Sequence, residues 1–238
     1  MSDIHIGTSG YSYADWVARF YPKRTKPEEF LSYYAAKLDT VELNVTFYRT
    51  PNKKTFEGWY NKTPRDFHIV IKGSRFITHT KRLRDCEEAI ERFFDAASPL
   101  KEKLKVVLWQ LPPKFPADLE RLKDFLNRLP KSVRHAFEFR DRSWLADDVY
   151  ELLRRLNIAL VFSDHPFDIT KPSTADFLYI RRHGPGGKYH VTYPNRDLSK
   201  DVALIRQYNL PTYEFFNNDV QAVGANNAVT LRGMLSMR

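Results

Sequence analysis

Short apolar runs recur along the whole chain and predict eight β-strands. Several of them, such as Val106 to Trp109 and Ala159 to Phe162, are continuously apolar and do not alternate with polar residues. This pattern is typical of strands that are buried on both faces of a parallel sheet. The predicted strands are Ile4–Thr8, Thr40–Leu43, Phe67–Lys72, Val106–Leu111, His135–Phe139, Ala159–Ser163, Phe177–Arg182 and Thr212–Phe216.

Helical patterns occupy the segments between these runs. Leu119, Leu122, Phe125 and Leu126 share one face at helical spacing, and two further apolar stripes run from 30 to 38 and from 149 to 156. A final helix is predicted after Gly224. Eight strand-then-helix units in 238 residues predict a single domain, residues 1–238, with a TIM-like (β/α)8 barrel. An open doubly wound sheet is the alternative.

Composition narrows the class of protein. With 42% apolar and 14% aromatic residues, the chain can build a large core. No apolar stretch approaches the ~18 residues of a membrane span, and the first residues lack a signal-peptide pattern, so we expect a cytoplasmic protein without a membrane partner. Cys86 is the only cysteine, which excludes a disulfide framework. Its spacing to Ile90 and Phe93 predicts a core-facing helix residue.

The net charge of +9 is concentrated in one segment. Between Arg49 and Arg84 the chain has ten Lys and Arg residues against two acidic residues. This indicates a localised basic surface with an anionic partner, either a phosphorylated small molecule or a nucleic acid. Aromatic residues lie beside basic ones in this segment, as in Phe47-Tyr48-Arg49, and such pairs can stack on bases of a single strand. A solvated basic face without a ligand is the alternative.

Polar residues stand at the carboxyl end of every predicted strand. In a barrel these ends meet at one mouth, where the working residues of such folds lie. We therefore expect a polar pocket there, with catalytic and substrate-binding groups. The catalytic candidates are Glu42, Lys72, Glu138, Arg140, Asp164 and His183. The substrate-binding candidates are Thr8, Tyr11, Asn44, Tyr48, Gln110, Arg181 and Asn218.

The residue types suggest roles for the catalytic candidates. Glu42 and Glu138 can serve as general acid and base, or they can pair with Lys72 and Arg140 as a rigid ionic floor. Lys72 and Arg140 can stabilise developing negative charge. Carboxylates with an imidazole are also the ligand types of a divalent metal, although no compact metal-binding signature supports such a site, and the cofactor remains open.

Two glycine-rich turns could approach an anion closely. Gly7-Thr-Ser-Gly10 follows the first strand, and His183-Gly-Pro-Gly-Gly-Lys188 follows the seventh, where barrels often bind phosphate. Both are also ordinary turn sequences. Tyr11, Tyr13 and Trp16 are expected to line the mouth, whereas Phe56 and Trp59 fit a core-facing helix.

Seven blocks of the sequence resemble the YecE-like barrel family, whose function is unknown. The match runs from about residue 4 to 232, and the family resemblance implies a TIM-barrel-like fold but no reaction. The blocks contain most of the strand-end candidates. They are Ile6 to Tyr13, Phe20 to Pro22, Thr40 to Arg49, Leu108 to Pro113, Ala136 to Arg140 with Ser143-Trp144, Arg181 to Gly184, and Phe216 to Asp219 with Asn227-Ala228.

The functional hypothesis is a barrel that binds or acts on a phosphate-bearing ligand at its carboxyl-end mouth. As an enzyme it would be a hydrolase or a lyase. Two alternatives stay open: a non-catalytic nucleic-acid-binding protein that uses the basic segment 49–84, and a carbohydrate-active barrel with Glu42 and Glu138 as its carboxylate pair. The sequence does not indicate the oligomeric state.

Overall fold

Eight parallel strands close into a barrel in the computed structural model, which describes residues 3–237. Each strand pairs with the next along the chain, and β8 returns to β1, where Ile4 pairs with Thr212 and Thr8 with Phe216. The predicted (β/α)8 fold class is confirmed. The strands are β1 Ile4–Ser9, β2 Thr40–Leu43, β3 His68–Lys72, β4 Leu104–Gln110, β5 Arg134–Glu138, β6 Ala159–Ser163, β7 Leu178–Arg182 and β8 Thr212–Phe216.

The helices surround the barrel and cover its outer face. Their bounds are α1 Phe30–Ala35, α2 Val45–Tyr48, α3 Lys53–Asn61, α4 Glu87–Ala97, α5 Leu119–Asn127, α6 Asp147–Arg155, α7 Asn195–Tyr208 and α8 Val223–Ser236. The apolar stripes that predicted helices at 30–38, 119–129 and 149–156 are the buried faces of α1, α5 and α6. The helices among residues 3–237 all fall short of the length and hydrophobicity that a membrane crossing requires.

Two apolar clusters fill the molecule. The larger one lies between the strands and the helices, and the smaller one fills the barrel with side chains such as Val70, Leu108 and Phe215. We call the smaller cluster the apolar plug. Above it, towards the carboxyl ends of the strands, the interior becomes polar. The barrel is therefore a packed core with a polar layer at one end, which is the usual arrangement of this fold.

Cys86 and Trp16 are both buried, but not as the sequence predicts. Cys86 lies directly before the first residue of α4, and its Sγ atom donates to the Arg84 carbonyl at 3.0 Å. Trp16 does not line the mouth, because its ring is wholly buried and its Nε1 atom donates to the Asp219 carbonyl. The extent of the domain, residues 1–238, stays a prediction, and Met1, Ser2 and Arg238 lie outside the described residues.

Candidate active site at the carboxyl-end mouth

A cavity of about 730 Å³ opens at the carboxyl ends of the strands. We call it the mouth cavity. Its volume is within the range of small-molecule sites, and its walls combine amides, aromatic rings and cations with one carboxylate, that of Asp219. Five of the predicted site residues line it: Asn44, Tyr48, Lys72, Gln110 and Arg140. The other lining residues are Tyr13, Pro113, His165, Pro166, Phe167, Tyr189, Asn217 and Asp219.

A buried ion-pair network supports the cavity from below. Arg181 donates to Glu42 Oε1 at 2.7 Å and to Glu138 Oε2 at 2.6 Å, and all three side chains are almost wholly inaccessible. Glu42 also accepts from Ser9 at 2.7 Å and from Tyr179 at 2.6 Å. The network joins β1, β2, β5 and β7 across the barrel. Glu42 therefore has an arginine and two hydroxyl groups as partners, which leaves it unsuited to proton transfer.

Glu138 is held as an anion. Burial alone would raise its pKa, but the charges of Arg181 and Arg140 outweigh burial and lower the pKa to about 2. A carboxylate with so low a pKa is a poor general acid or base at neutral pH. The two glutamates thus form the ionic floor that was one of the two interpretations of the sequence, with Arg181 and Arg140 as the cations. Because the Arg181 guanidinium bridges the two carboxylates, no sugar ring can enter between them.

Lys72 is the cation that the network leaves without a counter-ion. Its side chain is 8% exposed and donates to Gln110 Oε1 at 2.9 Å, and its Nζ atom lies over the Phe47 ring at 4.3 Å. Within residues 3–237 no carboxylate lies at ion-pair distance from it. Burial, reinforced by the charge of Arg181, lowers the pKa of Lys72 to about 8. Such a lysine is partly neutral near physiological pH.

His183 lies beside the network and is fully buried. Burial lowers its pKa, so the imidazole is neutral. Its Nε2 atom accepts from Arg140 Nη2 at 3.1 Å, which places its proton on Nδ1, facing Asp164 Oδ1 at 3.2 Å. Asp164 in turn accepts a hydrogen bond from Tyr193. Both ring nitrogens are therefore occupied, and His183 orients Arg140 without facing the cavity.

Four predicted substrate-binding residues do not reach the mouth cavity. Thr8 is fully buried and bonds to Gly10 and Tyr34 on the outer side of β1. Asn218 is also buried, and its Nδ2 atom donates to the Val191 carbonyl at 2.9 Å. Both side chains point away from the barrel interior and do not line the mouth cavity. Tyr11 lies in a neighbouring cleft, where its hydroxyl accepts from Trp59 at 3.0 Å.

Arg181 likewise does not line the mouth cavity. It is fully buried beneath the cavity, so its role is to hold the two glutamates and not to bind a ligand directly. Asp164 does not line the mouth cavity either. It lines a cleft beside α7 together with Arg182 and Asp201.

The glycine-rich turns use their amides within the protein. Gly184 donates to the Tyr193 hydroxyl at 2.7 Å, and Gly187 donates to the Gly184 carbonyl at 2.8 Å. A Cβ atom on Gly187 would lie 2.5 Å from His165, so this glycine allows close packing against a cavity residue. In the first turn, Gly10 donates to the Glu42 carbonyl at 2.8 Å. These amides are therefore not free for an anion.

Glu42, Glu138, Asp164 and His183, the carboxylates and the imidazole that have the ligand types of a metal site, all have other partners. Across the described part of the chain, no group of three His, Cys, Asp or Glu side chains has the arrangement needed to hold a metal ion. Glu42 and Glu138 face arginines, and His183 faces Arg140 and Asp164. The residues present do not fit a resident metal, and no step below depends on one.

Comparisons with known proteins show which family the chain belongs to. Residues 5–238 match the family described as "Protein of unknown function DUF72". The chain belongs to the DUF72 family. A solved DUF72 protein from Thermotoga maritima has a TM-score of 0.88 and 32% identity, over 98% of this chain and 99% of that one. A second, from Enterococcus faecalis, has a TM-score of 0.85 at 20% identity, over 99% of this chain and 96% of that one.

Curated relatives agree with this assignment, and the predicted resemblance to YecE-like proteins is confirmed. The UPF0759 protein YunF of Bacillus subtilis is 30% identical over 156 residues, which are 62% of this chain and 54% of the relative. The UPF0759 protein YecE of Escherichia coli K12 is 31% identical over 144 residues, 60% of this chain and 50% of the relative. The matched region thus spans about half the length of these curated relatives.

The basic segment of this DUF72 protein does not form one surface. Lys62 and Arg65 lie in the loop before β3, at the amino-end mouth, whereas Arg75, Arg82 and Arg84 follow β3 at the carboxyl end. Lys72 is inside the barrel, and Lys53 on α3 pairs with Asp95 at 2.6 Å. The chain reverses direction at α3 and again at β3, which divides a continuous charge run between both ends of the fold.

Proposed function

We propose that this DUF72 protein binds a phosphate-bearing small molecule in the mouth cavity and acts on it as a lyase. The observation that carries the proposal is Lys72, an almost buried cation without a counter-ion at the cavity wall, next to Arg140. A buried charge without a partner is costly, and a ligand oxyanion would relieve that cost. Phosphate is the anion that Lys and Arg bind most readily together.

The polar and aromatic walls suit an organic phosphate. Asn44 Oδ1 is buried and has no hydrogen-bond partner within the described residues, so it can accept from a ligand hydroxyl. Tyr48 is 77% exposed at the rim, where its ring offers a stacking surface. These groups fix the orientation of a ligand whose phosphate lies against Lys72 and Arg140.

Lys72 is also the group best suited to proton transfer. Because the pKa of Lys72 is about 8, this side chain is neutral in about 10% of the molecules at pH 7. A neutral amine can remove a proton from carbon. Glu42 and Glu138 are committed to arginines, and His183 has no free nitrogen. The reaction would be an elimination: the neutral Lys72 amine takes the proton from the carbon beside a carbonyl group and becomes an ammonium. The C–H electron pair forms the new C=C bond, the leaving group departs from the next carbon with its bonding pair, and Arg140 holds the phosphate.

Proton abstraction can be tested before the natural substrate is known. The protein is incubated in D₂O with phosphorylated carbonyl compounds, beginning with dihydroxyacetone phosphate, and deuterium entering the carbon beside the carbonyl is followed by NMR. Exchange by the wild type and its loss in Lys72→Arg, which keeps the charge but provides no base, would support the proposal. Exposed Lys131→Gln is the control. Equal exchange in wild type and Lys72→Arg would remove Lys72 from this role.

Single-stranded nucleic acid binding is the second candidate. It is favoured by two exposed aromatic side chains, Tyr48 at 77% and Phe76 at 45%, each adjacent in sequence to an exposed arginine. Binding that depends on phosphate contacts weakens log-linearly with salt. An oligonucleotide titration between 50 and 200 mM salt, about the range over which such binding falls steeply, separates the two candidates. Weaker binding of Phe76→Ala/Arg75→Gln, with a salt slope smaller by about one, would support nucleic-acid binding.

A further inference from the structure

A second cavity, of about 710 Å³, lies at the amino ends of the strands, on the opposite side of the apolar plug. We call it the lower cavity. Active sites of this fold lie at the other end, and nothing in the proposed function uses this one. Its lining includes two histidines and a tyrosine, His5, His68 and Tyr213, which stack closely. The His5 and His68 ring centroids are 3.8 Å apart, and those of His5 and Tyr213 are 5.1 Å apart.

The hydrogen bonds of this cluster determine where its protons lie. Burial raises the pKa of Tyr213 to about 12, so its hydroxyl keeps its proton. Burial, with the charges of His5 and Lys105, lowers the pKa of His68 to about 4, against the weaker opposing effect of Asp39 and Asp3. The neutral His68 ring accepts from the Tyr213 hydroxyl at Nδ1, over 3.0 Å. Its single proton is therefore on Nε2.

That Nε2–H group has no partner among residues 3–237. The Nε2 atom is accessible to solvent, because it is not one of the buried polar atoms that lack a hydrogen-bond partner. His5 is fixed differently, because its Nδ1 atom is bound to Asp39 at 2.9 Å. The cluster thus presents one oriented N–H donor of His68 to the lower cavity, held in place by Tyr213.

Three cations surround the same space. Lys105 is half-buried, and in the described residues no carboxylate lies at ion-pair distance from it. Arg134 has a long contact of 3.7 Å to Asp176, its guanidinium lies over the Phe177 ring, and it also interacts with the Tyr213 hydroxyl. Lys101 is the third cation, and the lining carboxylates are Asp3 and Glu102. Glu102 already accepts from Tyr60 at 3.0 Å.

The backbone at the rim is strained. Lys101 has φ +48° and ψ −128°, a conformation that residues with a side chain rarely adopt. Such conformations are concentrated at functional sites. The Nζ atom of Lys101 lies over the Tyr60 ring, 5.2 Å from its centroid, at the edge of the lower cavity.

We propose that the lower cavity is a second ligand site, which binds the phosphate or carboxylate group of a small molecule through Lys105, Arg134 and the Nε2–H of His68. Lys105, Arg134 and the His68 donor line one cavity, in which the three lysine and arginine side chains outnumber the carboxylates of Asp3 and Glu102, and such an excess of positive charge favours an oxyanion. The site is separated from Lys72 and Arg140 by the apolar plug, so it is independent of the function proposed for the mouth cavity.

The test is an NMR titration of the histidine side chains with inorganic phosphate and, in a separate arm, with acetate. Phosphate or acetate should shift the His68 Nε2 resonance saturably and raise the pKa of His68, because a bound anion favours imidazolium. The arm with the tighter binding identifies the ligand group. Lys105→Gln should weaken binding about tenfold, as expected for loss of one ionic hydrogen bond.

Two controls separate this site from general electrostatics and from the mouth cavity. Lys131→Gln removes the same charge from an exposed position at the same end of the barrel and should leave the affinity unchanged. Lys72→Gln should also leave the His68 titration unchanged, even if the mouth cavity loses its own ligand. Absence of a saturable His68 shift in the wild type, or an equal loss in Lys105→Gln and Lys131→Gln, would overturn the proposal.

Discussion

Arg181 forms a bidentate ion pair with Glu42, through Nε at 3.0 Å and Nη2 at 2.7 Å, in the interior of the barrel. The pair joins β7 to β2 across the barrel and is inaccessible to solvent. Its remaining Nη1 group reaches Glu138, which also pairs with Arg140. This relationship makes the glutamates a scaffold and leaves Lys72 and Arg140 as the cations that face the mouth cavity.

Removing the arginine should destabilise the protein strongly. Arg181→Met leaves the buried Glu42 without its cation and Glu138 with Arg140 alone, for which a loss of about 3–5 kcal/mol in the free energy of unfolding is expected. Urea unfolding at pH 7 measures this loss. The Glu42→Gln/Arg181→Met double variant should recover part of it, because the unpaired charge of Glu42 is gone. A loss below about 1 kcal/mol in the single variant would contradict the ion-pair role.

The stability of the protein should fall in acid because of Glu138. Its pKa is about 2 in the folded protein and ordinarily near 4.5, so its contribution is present above pH 4.5 and is lost as the pH falls towards 2. The shift corresponds to about 3 kcal/mol. Unfolding midpoints at pH 5 and pH 3 should therefore differ less in Glu138→Gln than in the wild type. Exposed Glu151→Gln is the control, and the same difference in both variants would count against the assignment.

Lys72 should titrate about two units below an ordinary lysine, for which the pKa is ~10.4. Because burial disfavours its charged form, the folded state releases this proton first, and stability should rise between pH 8 and pH 10.5. Reductive methylation with ¹³C-formaldehyde followed by NMR gives the pKa directly. The resonance assigned to Lys72 is the one missing from Lys72→Met, and a midpoint above pH 10 for it would refute the proposed general base.

Cys86 should not react in the native protein. Its side chain is 1% exposed, and burial raises the pKa of its thiol to about 11, so little thiolate forms at neutral pH. A colorimetric thiol reagent at pH 8 should therefore label it only after denaturation. Rapid stoichiometric labelling of the folded protein would show that the segment before α4 opens.

The sequence predicted the strands more closely than the site. Three strands, β2, β6 and β8, have the predicted bounds, and the other five differ by one or two residues at an end. Continuous apolar runs identify strands that are buried on both faces, and such runs can be recognised from neighbouring residues alone. The convergence of polar strand ends at one mouth follows from the topology alone, which explains why Asn44, Lys72, Gln110 and Arg140 were found.

The errors have a physical origin in the two-residue period of a strand. Alternate side chains point to opposite faces, so neighbours at a strand end differ in orientation. Ser9 faces inward to Glu42 while Thr8 faces Tyr34, and Asn217 lines the mouth cavity while Asn218 does not. Extending the alternation from the inward Phe215 would have selected Asn217.

Other features depend on distant parts of the chain. Arg181 lies between Glu42 and Glu138 because of the order of the strands around the barrel. Glu42 is 139 residues and Glu138 is 43 residues away from it in the sequence. Phe167 and Tyr189 belong to loops whose course no periodic pattern determines, and they were missed. The basic segment was assigned to one surface because charge was counted along the chain, whereas the fold divides it between two ends.

The most direct test of the central claim is to locate an oxyanion in the mouth cavity. Crystals soaked in tungstate, a heavy analogue of phosphate, would show its position by anomalous scattering. We expect an anomalous peak within hydrogen-bond distance of both Lys72 Nζ and the Arg140 guanidinium. This peak should be lost in Lys72→Gln crystals soaked in the same way. A mouth cavity free of tungstate in the wild type, while anions bind elsewhere on the protein, would contradict the proposed phosphate site.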